Sequence, residues 1–334
     1  MENSRKLLIG LVLGCILGLG GLTWFNGQIK EMPPGPEFLV RWDAMPFDRA
    51  VAILEERGVV RNAWVFSRYA RLERKAVAVQ GGTYAFRPGM SMAQIVQSLK
   101  TPLRQNVRIP EGWWIKRVAE RLESKNVCTA KEYEELAAQP QAFQDSVDFP
   151  LPKGSLEGYL YPDTYDLPPM MGARAVILRQ LQTFKKKVVD KVGEEGLARA
   201  VVLGSMVELE VAKDDERPRV AGVIENRIKK GMRLQIDATV LYALGEWKEL
   251  GPGVVNTVQS PYNTYLHAGL PPGPIGSPSI KSIEAALKPE AHNYLFYVAR
   301  PDRSHYFTSD YGSHLKAIAK ARGEWRTAKE PDNL

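Results

Sequence analysis

The chain has 334 residues, 44% of them apolar and 25% charged, which is a composition typical of globular proteins. That mixture excludes a chain that is disordered throughout and a membrane protein with many spans. The formal net charge of +7 comes from scattered basic residues, so no nucleic-acid partner is predicted. The two cysteines and four histidines show neither a disulfide framework nor metal-ligand spacing, so no metal and no cofactor are predicted.

An uncharged segment near the N-terminus predicts a membrane anchor. Residues 7–25 form one apolar run, and a helix of that length, at about 1.5 Å per residue, just crosses a hydrocarbon core of about 30 Å. Arg5 and Lys6 precede the run, so residues 1–6 are expected in the cytoplasm and the bulk of the chain on the other side of the membrane. Two alternatives are a cleaved signal peptide, although no A-x-A site follows the run, and a lipoprotein acylated at Cys15.

A predicted linker at residues 26–37, which is rich in proline and glycine, leads into a small module predicted at residues 38–104. Strand composition and helical periodicity alternate along this module. Its order of elements resembles that of LysM-like sugar-binding modules. The predicted elements are a strand at Phe38–Trp42, helices at 47–58 and 64–72, a strand at Thr83–Arg87 and a helix at Met92–Leu99.

The periodic pattern restarts near residue 105, and residues 105–325 are predicted to form one larger domain, followed by a tail at 326–334. A stretch rich in proline and glycine at 251–278 interrupts the helices, and residues 232–240 are expected to begin as a strand. The predicted fold class is α+β, with a membrane helix, a small LysM-like α/β module and a larger mixed α+β domain. The predicted elements of the larger domain are a short strand near 106, helices at 114–122, Ala130–Ala138, Ala173–Val192, Gly196–Ala212, Arg217–Lys230, Ser282–Leu287 and Ser309–Arg322, and strands at 293–300 and 305–309.

Two carboxyl groups, at Glu208 and Glu210, lie in a very apolar predicted helix. Because residues three or four positions apart share a helix face, Glu208 has small or apolar neighbours, whereas Glu210 lies toward Lys213 at the polar end. An apolar setting raises a carboxyl pKa and an adjacent cation lowers it, so Glu208 is predicted as the proton donor and Glu210 as a structural ion. The alternative is that Glu208 pairs with a buried arginine, such as Arg217 or Arg227.

Three further stretches combine aromatic, amide and carboxyl side chains of the kind that stack on sugar rings and hydrogen-bond their hydroxyl and N-acetyl groups. The alternatives are an ordinary surface loop for the tyrosine and asparagine residues, a helix cap for Asp237, and a hydrophobic core around Glu157. The predicted substrate-binding residues are Glu157, Gln235, Asp237, Tyr262, Asn263 and Tyr265.

The larger domain carries six segments whose order is distinctive: EGWWIKRVAERL, LEGYLYPDTY, SMVELE, NRIKKGMRLQIDATVLYALG, SPYNTYLHAGLPPGPI, and ALKP followed by YLFYVA and HYF. Over about residues 106–320 they resemble the YceG-like family. The resemblance implies that residues 105–325 cleave the MurNAc–GlcNAc bond within peptidoglycan glycan strands and leave 1,6-anhydro-MurNAc ends, with Glu208 as the catalytic glutamate and no cofactor. It implies nascent glycan strands and the membrane as partners, with peptidoglycan synthases as further candidates.

One glutamate can serve both steps of such a reaction. Glu208 is predicted to protonate the glycosidic oxygen and then to take the proton from the C6 hydroxyl, which attacks C1. A muramidase-type hydrolase of the same polymer is one alternative, and it needs a second carboxylate, for which Asp237 and Glu157 are candidates. The other alternative is a non-catalytic peptidoglycan-binding scaffold of the wall synthesis machinery, which would keep its cellular function after Glu208→Gln.

Overall fold

The computed structural model describes residues 18–75, 77–251 and 253–329. Residues 18–28 are helical, and no helix within the described ranges is both long and apolar enough to cross a membrane. The first part of the predicted anchor at 7–25 lies outside the described residues, and so does the whole predicted cytoplasmic segment 1–6. The anchor therefore stays a prediction.

Unit 1 of the fold comprises the chain up to Asn106 together with Asp166–Met171. Its core is built from the aromatic side chains of a two-stranded antiparallel sheet, Trp42, Tyr84 and Phe86, packed against apolar side chains of the neighbouring helices. The predicted order of strand, helix, helix, strand and helix is confirmed, whereas the LysM-like identity of this unit stays a prediction. The elements are β1 (Phe38–Trp42), α1 (Phe47–Glu56), α2 (Ala63–Leu72), β2 (Gly82–Phe86) and α3 (Met92–Lys100).

Unit 2 comprises Val107–Tyr165 and the chain from Gly172 onward. The predicted helices and strands of the larger domain are confirmed, and one further helix and one further strand are present. The helices are α4 (Ile115–Ser124), α5 (Ala130–Ala137), α6 (Ala173–Phe184, continued by a π-helical turn at Lys185–Val189 and a last turn at Asp190–Val192), α7 (Leu197–Glu210), α8 (Arg217–Lys229), α9 (Asp237–Leu244), α10 (Ile280–Leu287) and α11 (Tyr311–Lys329). The strands are β3 (Asn106–Arg108) with β4 (Thr164–Asp166), and β5 (Phe296–Ala299) with β6 (His305–Thr308); 3₁₀ turns lie at Pro140–Ala142, Gln144–Ser146, Asp214–Glu216 and Val254–Asn256.

Local sequence signals explain where several helices begin. The side chains of Asn62, Ser91, Thr129 and Ser279 each accept a hydrogen bond from a backbone amide in the first turn of the helix that follows. Such caps satisfy amide groups that have no partner inside the helix. The cap at Ser279 fixes the start of α10, which packs against α7.

Helix α7 runs through the core of unit 2. Most of the apolar side chains from residue 197 to residue 207 are buried, and a helix that is apolar nearly all round is a core helix. At Gly204 a Cβ atom would lie 3.1 Å from the carbonyl oxygen of Ser282, so the missing side chain lets α10 approach closely. Any carboxyl group near the end of α7 must therefore find its partners within the protein.

The segment before α9 departs from the predicted strand. It makes one isolated antiparallel bridge, between Arg233 and Ala268, and α9 then begins at Asp237. The backbone of Gln235 has a φ of +55°, a left-handed conformation that interrupts extended pairing. The expectation of a strand at residues 232–240 is therefore wrong beyond this bridge.

Candidate active site

Glu210 is the last residue of α7, and its carboxyl group lies in a polar pocket of about 330 Å³. Its Oε2 atom accepts a hydrogen bond from the hydroxyl of Tyr297 in β5, at 2.8 Å. The chain leaves the helix immediately, because Val211 is extended and buried. The Glu210 pocket is lined by Glu210, Arg227, Leu234, Gln235, Asp237, Tyr265, Tyr297 and His314.

The setting of Glu210 favours its neutral, protonated form. Burial raises the pKa of the Glu210 carboxyl above its ordinary value, and the carboxylate of Asp237 acts in the same direction. The hydrogen bond from Tyr297 and the charge of Arg227 oppose this rise without cancelling it. The negative end of the helix dipole at the C-terminus of α7 disfavours the ionised form further. Glu210 therefore has the properties of a proton donor.

Three of the predicted substrate-binding residues meet in the Glu210 pocket. Gln235 lies just before α9 and Asp237 begins it, and the hydroxyl of Tyr265 donates to Oδ1 of Asp237 at 2.5 Å. The two segments are tied together because the backbone amides of Gln235 and Ile236 donate to the carbonyl and hydroxyl oxygens of Thr264, at 3.1 and 3.0 Å. Gln235 and Asp237 are exposed, so the pocket offers an amide and a carboxylate to a ligand.

Arg227 and His314 complete the wall of the pocket. The guanidinium of Arg227 donates to the carbonyl oxygens of Leu295 and Leu234, both at 2.6 Å, and so holds two segments of the wall together. The ring of His314 stacks on Phe296 with centroids 4.9 Å apart, and its Nδ1 atom is buried without a hydrogen-bond partner among the described residues. Burial, assisted by the charge of Arg227, lowers the pKa of His314, so its imidazole is neutral near pH 7.

Glu208 occupies a different environment, between α7 and the start of α10. Its Oε2 atom accepts hydrogen bonds from the amide and hydroxyl of Ser279, at 2.8 and 2.6 Å, and from the hydroxyl of Ser282, at 2.7 Å. Its Oε1 atom lies 3.1 Å from Nη1 of Arg217, and these two side chains are only 7% and 10% exposed. Arg217 also pairs with Asp214 at 2.9 Å. Both oxygens of Glu208 are thus used within the fold.

Glu157 lies in a second pocket, of about 340 Å³, which is called the Glu157 pocket. Its Oε2 atom accepts hydrogen bonds from the amide of Ile115, at 3.1 Å, and from the hydroxyl of Tyr242, at 3.4 Å. Burial raises the pKa of the Glu157 carboxyl to about 8, and the hydrogen bonds donated to it only partly offset the rise. Glu157 does not line the Glu210 pocket, so the structure separates it from Gln235 and Asp237.

The remaining two residues of the predicted sugar-binding loop make structural contacts. Asn263 is fully buried; its Nδ2 atom donates to two backbone carbonyls of the same loop at 2.8 and 2.9 Å, and its Oδ1 accepts from the amide of Tyr265 at 2.9 Å. The loop itself uses the side-chain amide, and a role of Asn263 in holding substrate stays a prediction. Tyr262 packs against Tyr242 with ring centroids 4.9 Å apart, beside the Glu157 pocket rather than in the Glu210 pocket.

A larger open cavity, of about 790 Å³, lies on the surface near α8 and α10. Its charged side chains are exposed and of both signs, and Lys281 pairs with Asp214 within its wall. Exposed ion pairs of this kind are common on protein surfaces and contribute little. The candidate active site is therefore the smaller Glu210 pocket, which contains a carboxyl group with a raised pKa.

Comparisons with known proteins identify the family of this chain. A model of the YceG-like family matches residues 43–320. The chain belongs to the YceG-like family. The endolytic murein transglycosylase of Bacillus subtilis (strain 168) is 31% identical over 291 residues, which are 80% of this chain and 80% of that protein. The endolytic murein transglycosylase of Streptococcus pneumoniae serotype 2 (strain D39) is 27% identical over 303 residues, which are 80% of this chain and 55% of that protein.

A solved structure gives the same result for the fold. The 2.6 Å crystal structure of the YceG-like protein lmo1499 from Listeria monocytogenes superposes with a TM-score of 0.58 at 30% sequence identity. The match covers 84% of this chain and 98% of that one. The family resemblance seen in the sequence is therefore confirmed.

In this YceG-like chain, the environments of the two glutamates are the reverse of those predicted from local sequence. Glu210 was expected to lie toward Lys213 and solvent, but its carboxyl is buried, and Lys213 lies 3.4 Å from Asp302 instead. Glu208 was expected in an apolar setting, but it pairs with Arg217, which is the alternative stated for it. Helix geometry correctly places the two carboxyls on different faces, and residues far along the chain decide what each face meets.

The YceG-like site also contains residues that sequence reasoning did not select. Tyr297, Arg227 and His314 all line the Glu210 pocket. A usable signal existed for two of them, because a tyrosine within an apolar strand and an arginine on the apolar side of a helix each need a polar partner when buried. His314 gave no such signal, since it lies in the first turns of a polar terminal helix.

Proposed function

We propose that this chain is an endolytic murein transglycosylase, a lyase that cleaves the MurNAc–GlcNAc bond within peptidoglycan glycan strands and leaves 1,6-anhydro-MurNAc ends. Membership of the YceG-like family and curated relatives of that name support the class of reaction. We assign Glu210, rather than Glu208, as the general acid. The observation that carries this assignment is the raised pKa of the Glu210 carboxyl in an open polar pocket.

A single carboxyl group accounts for both proton transfers. Protonated Glu210 donates its proton to the glycosidic oxygen as the bond between that oxygen and C1 of MurNAc breaks. The substrate's own N-acetyl group stabilises the positive charge that develops at C1. The Glu210 carboxylate then removes the proton from the C6 hydroxyl, whose oxygen bonds to C1, and this step closes the anhydro ring and restores the protonated acid.

The other side chains of the Glu210 pocket hold the strand and limit access of water. The amide of Gln235 suits an N-acetyl group, and its left-handed backbone, fixed by the bonds to Thr264, keeps that amide at the pocket. The hydroxyl of Tyr265 fixes Asp237, whose carboxylate can accept bonds from sugar hydroxyls. The neutral imidazole of His314 has an unused Nδ1 atom in the same wall.

Asp237 favours a specific second candidate, a muramidase-type hydrolase. A second carboxylate in the pocket of the acid can orient or activate water, and an ordinary glycosidase uses two carboxyl groups in this way. The hydrolytic product carries one water more than the anhydro product. Glu157 is not suited to this role, because its carboxyl lies in a different pocket.

The decisive experiment is digestion of purified peptidoglycan by the full-length chain, followed by mass spectrometry of the products. We expect anhydro ends from the wild type and a loss of about 10²–10⁴-fold in rate for Glu210→Gln, which keeps the shape of the side chain but cannot donate the acid proton. Glu208→Gln is the matched control, since it makes the same chemical change on the same helix and should retain activity in the folded molecules. Wild-type rates from Glu210→Gln would overturn the assignment, and products heavier by one water would favour the hydrolase.

We also propose that residues 7–25 anchor the chain in the inner membrane, with its C-terminal part in the periplasm beside newly made strands and their synthases. The uncharged run and the basic residues before it support this topology, and the order of elements in unit 1 supports a LysM-like module. A reporter fused after Leu334 should be active only outside the cytoplasm. A reporter active only inside, or a mature N-terminus near Asn26 or at an acylated Cys15, would contradict the anchor.

A further inference from the structure

The Glu157 pocket contains a buried carboxyl oxygen that the fold does not use. The Glu157 residue is 4% exposed, and its Oε2 atom is held by Ile115 and Tyr242. Its Oε1 atom is buried and has no hydrogen-bond partner in the described part of the chain. Buried polar atoms nearly always have partners, because leaving one unpaired is costly. An atom of this kind on the wall of a pocket of about 340 Å³ indicates a ligand that supplies the missing bond.

The chemistry of the pocket selects a neutral, hydrogen-bonding ligand. With a pKa of about 8, the Glu157 carboxyl is mostly protonated at neutral pH, and a carboxylic acid can both donate and accept. The other charged groups of the wall, Lys116 and Glu134, have opposite signs, so they do not select an anion or a cation. Among the described residues no group of acidic, histidine or cysteine side chains could hold a metal ion.

Two aromatic side chains, Trp114 and Tyr242, line the same pocket, and Trp247 packs against Trp114. The ring of Trp114 lies 5.4 Å from that of Tyr242 and 5.9 Å from that of Trp247, measured between centroids. Trp247 is 46% exposed, so its ring is accessible to a ligand. Aromatic faces beside a few hydrogen-bonding groups suit sugar rings, whose C–H faces are apolar and whose edges are polar.

The Glu157 pocket and the Glu210 pocket share structural elements. Helix α9 contributes Asp237 to the Glu210 pocket and Tyr242 to the Glu157 pocket, and five residues of helix span about 7.5 Å. The loop that follows repeats this link, because Tyr265 contacts Asp237 and Tyr262 contacts Tyr242. The two pockets therefore border the same helix and the same loop.

We propose that the Glu157 pocket is a second carbohydrate subsite, which binds an N-acetylated sugar of the same glycan strand at a distance from the bond that is cleaved. Oε1 of Glu157 hydrogen-bonds a hydroxyl or N-acetyl group, and the Trp114, Tyr242 and Trp247 surface packs against the ring. This subsite rests on the proposed function, since it needs a strand bound at the Glu210 pocket. It gives the site a preference for longer strands, because only these reach both pockets.

The test measures binding of chitin oligosaccharides, polymers of N-acetylglucosamine, to the full-length chain with Glu210→Gln, which should not cleave them. Calorimetry compares the dimer with the hexamer. Adding Glu157→Leu, which removes the hydrogen-bonding group, or Trp247→Ala, which trims an exposed side chain, should weaken hexamer binding about 5- to 10-fold and leave dimer binding unchanged. Adding Glu157→Gln, a neutral isostere, should retain hexamer binding, and above pH 8 it should bind more tightly than the chain that keeps Glu157.

The outcomes separate this proposal from the proposed function. Equal effects on dimer and hexamer, or no effect on either, would overturn the second subsite while wild-type cleavage of peptidoglycan still upheld the reaction. Absence of cleavage by the wild type would overturn the reaction whatever the binding data gave. If Glu157→Leu does not fold, Trp247→Ala decides alone, because its side chain lies at the surface.

Discussion

Replacing Glu208 by glutamine tests whether this residue holds the fold rather than cleaving the strand. Either orientation of the new amide places its NH₂ group against donors, which are the serines of α10 on one side and Arg217 on the other. Breaking a buried ion pair by removing one partner costs about 3–5 kcal/mol. Because Arg217 keeps its contact with Asp214, we expect about 3 kcal/mol, the lower end of that range.

Thermal unfolding of the full-length chain, followed by circular dichroism at pH 7, measures this loss. For domains of about 150–250 residues, 1 kcal/mol corresponds to about 2–4 °C in Tm, so Glu208→Gln should lower Tm by about 6–12 °C. The matched control is Glu135→Gln, which removes the exposed pair with Lys131, whose atoms lie 3.8 Å apart. Exposed pairs contribute at most about 1 kcal/mol, so the control should lower Tm by less than about 4 °C.

Two results would refute the structural role of Glu208. A Tm for Glu208→Gln that equals that of the control would mean that the buried pair with Arg217 contributes no more than a surface pair. A variant that unfolds at the wild-type temperature but no longer cleaves peptidoglycan would assign the proton transfer to Glu208. The same strand-digestion assay on Glu210→Gln would then show wild-type activity, which makes the two assignments mutually exclusive.

Tyr297→Phe removes a hydrogen bond that lowers the pKa of Glu210, so the pKa of this carboxyl should rise further. The alkaline limb of the pH–rate profile for strand cleavage should then move to higher pH, and a limb at the wild-type position contradicts this. Glu157→Gln should stabilise the chain at alkaline pH. The wild-type carboxyl has a pKa of about 8 in the folded chain against an ordinary 4.5, so the wild type loses stability as pH rises through that interval, whereas the glutamine variant does not. Denaturant unfolding at pH 6 and pH 9 compares the two proteins, and equal pH dependence argues against the raised pKa. Gln235→Gly should leave the fold at least as stable, because glycine adopts a φ of +55° without strain, and should slow cleavage; an unchanged rate removes Gln235 from substrate binding.

The helices of this chain could be predicted because their signals are local. The apolar residues between 200 and 207 recur with the helical period and so predict α7, and the same period places Glu208 and Glu210 on different faces. Capping residues such as Ser91 and Thr129 mark helix starts by the same short-range chemistry. The site motifs could likewise be found by residue type, and Gln235, Asp237 and Tyr265 do meet in one pocket.

The environments of the two glutamates could not be predicted, because their partners are distant in the sequence. Ser279 is 71 positions from Glu208, and Tyr297 is 87 positions from Glu210. From the local sequence, the expected partner of Glu210 is the nearby Lys213. In the structure the ammonium of Lys213 lies 3.4 Å from the carboxylate of Asp302 instead. Desolvation is a property of the packed structure, so a pKa argument from neighbours in sequence cannot show which of two nearby carboxyl groups is desolvated.

Helix dipoles place the two identical side chains at the end of α7 in opposite electrostatic settings. The carboxyl group of Glu208 lies at the N-terminus of α10, beside the positive end of the helix dipole, and accepts hydrogen bonds from the amide and hydroxyl of Ser279. Glu210 lies at the C-terminus of α7, where the negative end of the dipole disfavours that charge. The pair of Glu208 with Arg217 holds the end of α7 without contacting the Glu210 pocket. Stability and acid strength therefore depend on separate partners, and mutations can change either one without the other.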